Sequence, residues 1–520
     1  MRNLIPSFFT VHPSSLSCRR PSLFIFHCSL FILLSLFILH SSFFITGCSS
    51  STKPKTGSLS GRVILVNDTD DPSLDPVDFS GVTVALYEMA VLDTTIVRIN
   101  QEYPQIGVQI SQETEFDHRL QTPLSTVASD ADGNYVFEEI SPGTYNLVAR
   151  KDGWGDSIEF RVDINSDTEM HDVLLYPQRI IPTYWDSEYT FIASRVYYSN
   201  EDVVFGQASN INLEPGTRIN LGPGIKLSFY GHLSIGQSSS DSFIKFDSNS
   251  DEPFSEIIIN NNTHDYDLSN ILIRNSDNGL RISVNALTLE DSYFKTRYHS
   301  VNVLYAGSIS IENCLFIGNE SDHQIQNSGL YVFNSNIGLT RSVFVNNIMG
   351  FECRTFCKGV VTDCYFANNG TAIQAVFDCD LQVSYSTFMR NQIGVSNASR
   401  SKASINYCDF ADKIGIYNYT YQGFTSDGGD TFFVARNNNL LCTEYAVKSK
   451  AVSYVITGEH VISTATNNYW GTSNPSHVDA LIWDSHDEDP NMYLYEHYTS
   501  LVEYLPIHNN RVAGAGVRTN

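Results

Sequence analysis

Three stretches of the chain repeat one pattern, and they decide the fold. Residues 338–350 read GLTRSVFVNNIMG, residues 360–372 read VVTDCYFANNGTA and residues 382–394 read QVSYSTFMRNQIG, so equivalent places differ in number by 22. In each stretch an aliphatic residue, a small residue, a phenylalanine and an asparagine hold the same positions. A fixed period of this kind indicates a solenoid, in which each unit packs mainly against its two neighbours.

The pattern continues in both directions. The phenylalanines differ in number by 22, 28, 22, 22 and 22, at Phe294, Phe316, Phe344, Phe366, Phe388 and Phe410. The aliphatic position holds Leu289, Ile311, Leu339, Val361, Val383 and Ile405. The small position holds Ser292, Cys314, Ser342, Cys364, Ser386 and Cys408. The amide position holds Asn319, Asn347, Asn369 and Asn391, with Arg297 and Lys413 at its ends. We assign the extra residues of the longer step to the polar stretch 320–328.

The spacing within one unit predicts a strand, a bend and a second strand, because the inward-facing pattern changes phase once. Units stacked at about 4.8 Å would bury each aliphatic side chain against its own kind. They would also let each asparagine hydrogen-bond the asparagine of the next unit. We place these asparagines at the bend, because asparagine tolerates left-handed backbone geometry.

These features resemble the right-handed parallel β-helix proteins of the pectate-lyase-like superfamily. Residues 213–217 (LEPGT) and 231–235 (GHLSI) resemble the opening coils of secreted members, and residues 467–475 (NNYWGTSNP) resemble their closing signature. The resemblance implies an all-β fold with a parallel β-helix over residues 188–475, in about thirteen coils of one repeat each. We expect the acidic C-terminal segment, residues 476–520, to cap the exposed end.

A different pattern precedes the repeats. Residues 61–66 and 81–87 read as strands, and residues 130–137 (DADGNYVF) with 142–147 (PGTYNL) resemble the carboxypeptidase regulatory-like domain, a small transthyretin-like β-sandwich. The match predicts a sandwich over residues 57–177 with an insertion around residues 92–125. Asp-Gly at residues 132 and 133 predicts a tight hairpin turn. The alternative, a calcium loop, lacks the closing glutamate of such loops.

The first residues predict export. Arg19 and Arg20 precede an apolar run that ends in Ile45-Thr46-Gly47-Cys48, which resembles the lipobox of bacterial lipoproteins. This implies a signal peptide over residues 1–47, lipid attachment at Cys48, a tether over residues 48–56 and a place in the bacterial cell envelope, at the outer membrane. The alternative is an uncleaved membrane anchor.

The net charge argues against one class of partner, and the number of cysteines limits disulfide bonding. Removal of residues 1–47 would leave 57 acidic against 29 basic residues, a formal charge of −28, which argues against nucleic acid as a partner. Seven cysteines would remain besides Cys48, so they cannot all pair. Cys357 and Cys379 lie one repeat apart and could form a disulfide, although free thiols are favoured.

We find no set of residues that predicts catalysis, a cofactor or a metal site. The nearest approach to a lyase centre is a group of acids and bases: Arg354, Lys358, Asp363, Asp378 and Asp380. Asp363 is better explained by an ion pair with Arg341 in the adjacent coil. Zinc-site spacings of histidine and cysteine are absent from the sequence. The acidic residues Asp484, Asp487, Glu488 and Asp489 could hold calcium, but such charge runs are usually only solvated.

One outward feature is compatible with binding. Tyr385 and Tyr407 occupy equivalent positions in successive units, and Tyr365 lies at a nearby outward position. Aromatic rows suit stacking against sugar rings, although they also stabilise sheets without any ligand. Two hypotheses follow. The first is a non-catalytic protein that serves as a display scaffold or binds glycans or other envelope components. The second is a surface polysaccharide lyase or glycoside hydrolase.

Overall fold

In the computed structural model, the regular secondary structure of the described residues is almost entirely β-strand. The structure describes residues 56–67, 76, 78–165, 169–193, 195–235, 242–318, 327–422, 431–453, 460–487 and 499–518. The predicted signal peptide, Cys48 and nearly all of the tether lie outside these residues, as do Asn319 and most of the stretch assigned to the longer repeat step. Within the described residues, no helix combines the length and apolar character needed to cross a bilayer.

The N-terminal part is built from short strands and two helices. The strands are β1 (Gly57–Leu65), β2 (Thr83–Glu88), β3 (Ser125–Ala128), β4 (Asn134–Ile140), β5 (Gly143–Arg150), β6 (Ser157–Ile164), β7 (Glu169–Met170) and β8 (Val173–Leu175). The helices are α1 (Thr94–Glu102) and α2 (Gln112–Glu115). One sheet has the order β4-β1-β7 with β8 also on β1, and the other has the order β3-β2-β5-β6.

These two sheets form the small sandwich, and the alternating side chains of the sequence fill its core. Tyr135, Phe137 and Leu147 are buried there together with Leu59 and Val84. The predicted hairpin at residues 132 and 133 is wrong in one respect. Gly133 has the expected positive φ of 87°, but the strands on either side, β3 and β4, belong to different sheets. The turn therefore connects the two layers of the sandwich.

The described strands after the sandwich pair with one another in parallel. They are β9 (Arg179–Ile180), β10 (Tyr184–Trp185), β11 (Glu188–Phe191), β12 (Val196–Ser199), β13 (Val203–Phe205), β14 (Asn210–Leu213), β15 (Arg218–Leu221), β16 (Lys226–Phe229), β17 (His232–Ile235), β18 (Ile244–Ser248), β19 (Glu256–Ser269), β20 (Ile271–Arg274), β21 (Leu280–Glu290), β22 (Tyr293–Lys295), β23 (His299–Leu304), β24 (Ser308–Glu312), β25 (Leu315–Ile317), β26 (Ser328–Phe333), β27 (Asn336–Thr340), β28 (Val343–Val345), β29 (Met349–Arg354), β30 (Lys358–Thr362), β31 (Tyr365–Ala367), β32 (Thr371–Val376), β33 (Asp380–Ser384), β34 (Thr387–Met389), β35 (Ile393–Ala398), β36 (Lys402–Asn406), β37 (Asp409–Ala411), β38 (Ile414–Gln422), β39 (Phe432–Arg436), β40 (Asn439–Leu440), β41 (Tyr445–Ser453), β42 (His460–Thr464), β43 (Ile482–Trp483) and β44 (Thr499–Glu503). A short helix, α3 (Pro475–Asp479), precedes β43.

These strands wind into a parallel β-helix, which confirms the predicted fold class. Among the described residues, three all-parallel sheets, of 21, 12 and 3 strands, run along its axis. Pairing in these three sheets begins with β9 and continues through β43 and β44, so strands on both sides of the expected range 188–475 join the same sheets.

The coil register confirms the predicted repeat. Phe294, Phe316, Phe344, Phe366, Phe388 and Phe410 are paired in order and form a buried stack of parallel rings with centroids 4.5–5.3 Å apart. The aliphatic series from Leu289 to Ile405 is paired in the same order. Like side chains therefore fill the core one above the other.

The amide series forms a ladder, but its place in the bend differs from the prediction. Asn347 Nδ2 donates to Asn369 Oδ1 at 3.2 Å, and Asn369 Nδ2 donates to Asn391 Oδ1 at 2.9 Å. The left-handed residue of the bend is the one before each asparagine, such as Asn346 with φ 61° and Asn368 with φ 55°. The ladder asparagines instead point inward, where their amides bond the backbone and one another.

The insertion in the sandwich reaches across to the β-helix. The Asp93 carboxylate caps α1 by accepting from the backbone amides of Thr95 and Ile96, at 2.7 and 3.0 Å. Ile96 and Ile99 of this helix pack on the outer face of the 12-stranded sheet. Their partners there form an apolar column: Leu272, Tyr293, Leu315, Val343 and Tyr365. The sandwich is thus docked on the solenoid through its own insertion.

Buried ion pairs also join the insertion of the sandwich to the β-helix. Asp247 of the β-helix accepts from Arg119 at 2.6 Å and from Arg274 at 2.6 Å. Arg119 also pairs with Asp117 at 2.8 Å, and the Arg274 guanidinium donates to the Phe116 carbonyl at 2.7 Å. Burial opposes ionisation of Asp117, but the guanidinium groups of Arg119 and Arg274 outweigh it and lower the pKa of this carboxyl.

The C-terminal segment runs back along the solenoid after β44. The Gly516 amide donates to the Tyr407 carbonyl at 2.8 Å, and the Val517 amide donates to Thr387 Oγ1 at 3.2 Å. Arg518 ends this path in an ion pair with Asp363. The segment therefore covers a lateral face, in addition to the strands β43 and β44 that extend the coil end.

Candidate functional site

An exposed row of aromatic residues follows one bend of the β-helix. We call Tyr305, Phe333, Phe356 and Phe377 the aromatic corner. They lie where the chain turns from β23 to β24, β26 to β27, β29 to β30 and β32 to β33. The Tyr305 amide donates to the Phe333 carbonyl at 3.1 Å, and the Phe356 amide donates to the Phe377 carbonyl at 3.0 Å. These hydrogen bonds join neighbouring coils in two pairs, Tyr305 with Phe333 and Phe356 with Phe377.

The backbone of this corner is unusual for the residues it carries. Tyr305, Phe356 and Phe377 have φ of 56°, 55° and 65°. Bulky residues rarely adopt this left-handed region, whereas asparagine, as at Asn334 with φ 48°, does so more readily. Three coils thus place a large aromatic side chain where a small polar residue would fit the backbone better.

These side chains also remain accessible. Tyr305 and Phe356 are each 64% exposed and Phe377 is 45% exposed, while Phe333 is half-buried. The rings of Tyr305 and Phe333 meet edge to face at 5.1 Å. Aromatic rings of this kind offer both an apolar face and a polar edge to a ligand.

Charged groups flank the corner. The Arg354 guanidinium lies 5.9 Å from the centroid of the Phe377 ring, and its Nε lies 2.9 Å from Glu352 Oε1. Burial raises the pKa of Glu352, and the nearby arginine opposes that shift. On the next coils Arg400 donates to Asp378 at 2.8 Å, and this hydrogen bond lowers the pKa of Asp378.

The predicted tyrosine surface is less available than the sequence suggested. Tyr365 points away from the core of its coil, but it is only 1% exposed because α1 covers it and Tyr103 packs on it at 5.5 Å. Tyr385 and Tyr407 do stack, at 5.3 Å and 8°. Arg518 lies 4.2 Å from the centroid of the Tyr385 ring, so the C-terminal segment occupies part of this surface.

The acids and bases that came nearest to a lyase pattern are divided among separate ion pairs. The predicted pair between Arg341 and Asp363 is wrong, because Arg341 pairs with Glu312 and Asp363 pairs with Arg518. The reason is that the C-terminal segment places the Arg518 guanidinium beside Asp363, and this segment lies outside the repeat from which the pair was predicted. Lys358 and Asp380 are neighbours in register on β30 and β33.

The two acidic turns considered for calcium use their carboxylates on the backbone. Asp130 accepts from the amides of Asp132 and Asn134 at 3.0 and 2.8 Å, as the turn interpretation predicts. Asp484 accepts from the amides of His486 and Val502 at 2.9 and 3.0 Å. Glu488 and Asp489 lie outside the described residues.

Three buried thiols form a second cluster, which the sequence did not predict. The sulfur atoms of Cys353, Cys357 and Cys379 lie within 4.8 Å of one another, and all three cysteines are free. The thiols of Cys353 and Cys379 lie within hydrogen-bonding reach of the Cys357 sulfur and lower the pKa of that thiol. The pKa of Cys353 is raised by the same kind of contact, with Cys357 and Cys379. A negative charge on this cluster is therefore favoured at Cys357, where the two neighbouring thiols stabilise it.

The sequence indicated one part of the thiol cluster but not the aromatic corner. The spacing of Cys357 and Cys379 by one repeat indicated that they stack, but Cys353 lies on β29, on the other side of the corner. The corner aromatics are irregularly spaced, so a search at a fixed period misses them. Only the bend geometry brings each set together.

Comparisons with known proteins add little beyond this geometry. No protein-family model matches the chain, and no curated protein matches it. Among solved structures, the chain is similar to a family 28 exopolygalacturonase of Yersinia enterocolitica, with a TM-score of 0.28 and 10% identity over 84% of this chain and 96% of that chain. It is also similar to GBS52, a minor pilin of Streptococcus agalactiae, with a TM-score of 0.14 and 20% identity over 25% of this chain and 46% of that chain. Both TM-scores are too low to support an argument about function, so the strand pairing itself defines the class of the protein, a parallel β-helix.

Proposed function

We propose that this protein is an exported, lipid-anchored β-helix that binds a linear polysaccharide of the cell envelope at the aromatic corner without cleaving it. Cys48 would carry the lipid, and the tether and sandwich would hold the β-helix away from the membrane. The resemblance of residues 45–48 to a lipobox supports the anchor.

One observation carries the binding proposal: exposed aromatic side chains occupy left-handed backbone positions in three of the four coils of the corner. Large apolar side chains exposed together often mark binding sites. Strained backbone likewise tends to gather at functional positions. The coincidence of both features at Tyr305, Phe356 and Phe377 favours a ligand-binding role over a purely structural one.

The arrangement also indicates the form of the ligand. A row that extends over four successive coils along the axis suits a linear polymer that lies in the same direction. The mixed charges of Arg354, Glu352 and Asp378 beside the row give polar partners for hydroxyl groups. A linear polysaccharide meets both requirements, because sugar rings present apolar faces and hydroxyl edges.

Binding can be tested with the protein expressed from its full coding sequence and purified in mild detergent. A panel of neutral and acidic polysaccharides would be screened first, and the strongest ligand measured by calorimetry. The double variant Phe356→Ala, Phe377→Ala should weaken binding by about 5-fold to 150-fold, since each aromatic contact contributes about 0.5–1.5 kcal/mol. The matched control, Tyr385→Ala with Tyr407→Ala, should leave affinity nearly unchanged.

Two outcomes would overturn the proposal. Equal affinity of the corner variant and the native protein would remove the corner as the binding surface. Release of reducing ends or unsaturated products, with or without calcium, and its loss in Lys358→Ala or Asp378→Asn, would support the alternative of a polysaccharide lyase or hydrolase.

A further inference from the structure

The three clustered thiols lie just inside the aromatic corner and form a compact group in the core. Cys353 and Cys357 have no exposed surface, and Cys379 is 2% exposed. Cys353 ends β29 together with Arg354, and the chain then turns through residues 355–357, so two of the thiols come from one bend. Cys379 comes from the equivalent bend in the next coil, as the bond from the Asp380 amide to the Cys357 carbonyl at 2.9 Å shows.

The solenoid repeat shows that cysteine is a departure at these positions. Ser335, Cys357, Cys379 and Ser401 occupy one place in successive coils. At each step from one of them to the next, the backbone amide that follows the later residue donates to the carbonyl of the earlier residue. The Cys379 amide also donates to Ser401 Oγ at 3.1 Å. The fold thus accepts serine here in the coils on both sides, and sulfur occurs only in the two adjacent coils between them.

Cysteine is also a departure from the neighbouring coils at the position of the third thiol, Cys353. Cys353 is paired with Val332 in the preceding coil and with Ala375 in the following one. A small apolar residue therefore suffices at this position. The sulfur of Cys353 nevertheless lies beside those of Cys357 and Cys379, within 4.8 Å of each.

The other buried cysteines provide a contrast within the same molecule. Cys314, Cys364 and Cys408 alternate with serine from coil to coil, so no two of them are stacked neighbours. Their thiols act as single weak donors, as in the contact of Cys364 Sγ with the Thr362 carbonyl at 3.4 Å. Cysteine as a small core residue accounts for these positions. It does not account for three sulfurs gathered at one corner.

We propose that Cys353, Cys357 and Cys379 form a binding site for a soft, thiophilic metal ion of low coordination number, such as Cu(I). Thiolate ligands select soft ions. Three sulfurs around an ion at about 2.3 Å stand about 4 Å apart, so small side-chain rotations would complete the site. Within the described part of the chain, neither a histidine nor a carboxylate joins the cluster, and structural zinc almost always takes four ligands.

Binding is an exchange of protons for the ion. Each new copper–sulfur bond replaces an S–H bond, and the proton passes to solvent. The copper is supplied and held as Cu(I), so no electron transfer takes place. The fully buried position protects both the ion and the thiols from oxidation, and the exposed Phe356 and Phe377 lie on the solvent side of the site.

The test uses the full-length protein, reduced and kept without oxygen, in competition with a coloured Cu(I) chelator. The native protein should remove one Cu(I) per chain, and X-ray absorption should show three sulfur neighbours at about 2.3 Å. Cys357→Ser and Cys379→Ser should each lower the affinity at least tenfold. Both variants should fold, because serine occupies the same place in the neighbouring coils, and thermal melts would verify this.

Cys364→Ser is the matched control, since it removes an equally buried thiol from a position where serine alternates with cysteine. It should bind Cu(I) like the native protein. Failure of the reduced native protein to take Cu(I) from the chelator would overturn the site. Equal losses in Cys364→Ser and Cys357→Ser would also overturn it. Neither result depends on whether the protein binds polysaccharide.

Discussion

Asn391 Nδ2 donates to Asp412 Oδ1 at 2.9 Å, so a carboxyl group ends the buried ladder of asparagines. The Asn391 backbone amide donates to the same oxygen, also at 2.9 Å. The sequence pattern placed Lys413 at this end of the series, but the coil is one residue shorter here and Asp412 takes the inward position. Burial raises the pKa of Asp412 to about 7, although the bonds from Asn391 oppose the shift.

This carboxyl predicts a pH-dependent stability. The folded-state pKa is raised above its usual value of 3.8, so between pH 4 and 7 the folded protein holds a proton that the unfolded chain has released. The stabilising contribution is complete below about pH 4 and is lost as the pH rises towards 7, with a total of about 4 kcal/mol. Asp412→Asn keeps the acceptor without the charge. The variant should gain stability over the native protein from pH 4 to pH 8 in urea unfolding, and parallel pH profiles would contradict the assignment.

Aromatic side chains on the 12-stranded sheet and in the bend beside it should contribute to stability according to their burial. Phe366→Ala should cost about 3–5 kcal/mol, because it leaves a cavity in the phenylalanine stack. Tyr365→Ala should cost a similar amount, since α1 and Tyr103 bury its ring as fully as the core buries Phe366. Tyr385→Ala, at a half-buried position, should cost about 1 kcal/mol. Denaturant melts of the three variants would decide, and a small loss in Tyr365→Ala would show that α1 does not cover this sheet in solution.

The buried ion network should matter for the junction between the sandwich and the β-helix. Arg274→Met would leave Asp247 with one cation fewer and should cost about 3–5 kcal/mol, as expected when one partner of a buried pair is removed. Lys413→Met, which removes a half-exposed partner of Glu444, is the control and should cost less than about 1 kcal/mol. Equal losses in urea unfolding would mean that water reaches the junction.

The proposed lipid anchor at Cys48 makes a separate prediction. Cys48→Ser should leave an unprocessed precursor that takes up no labelled fatty acid in the producing bacterium, because serine lacks the thiol that accepts the lipid. Cys364→Ser is the control and should be labelled like the native protein. Labelling of the Cys48→Ser variant would exclude Cys48 as the attachment site.

The sequence alone determined the register of the solenoid. Each coil must bury its own inward side chains on those of its neighbours, so the repeat period is written directly into positions such as Phe344, Phe366 and Phe388. The same reasoning predicted the amide ladder. It misplaced the left-handed residue by one position, because a period records which residues are equivalent and not the backbone angles at a bend.

Tertiary structure decided what covers the outer faces and what gathers at the corners. The burial of Tyr365 depends on α1, which lies far earlier in the chain, and the partner of Asp363 is Arg518 from the C-terminal segment. Cys353 meets Cys357 and Cys379 only because a bend turns two strands towards one point. A repeat specifies contacts between adjacent coils, since those are selected by stacking alone. Contacts between segments far apart in sequence follow from shape and charge on the assembled surface, and no local pattern encodes them.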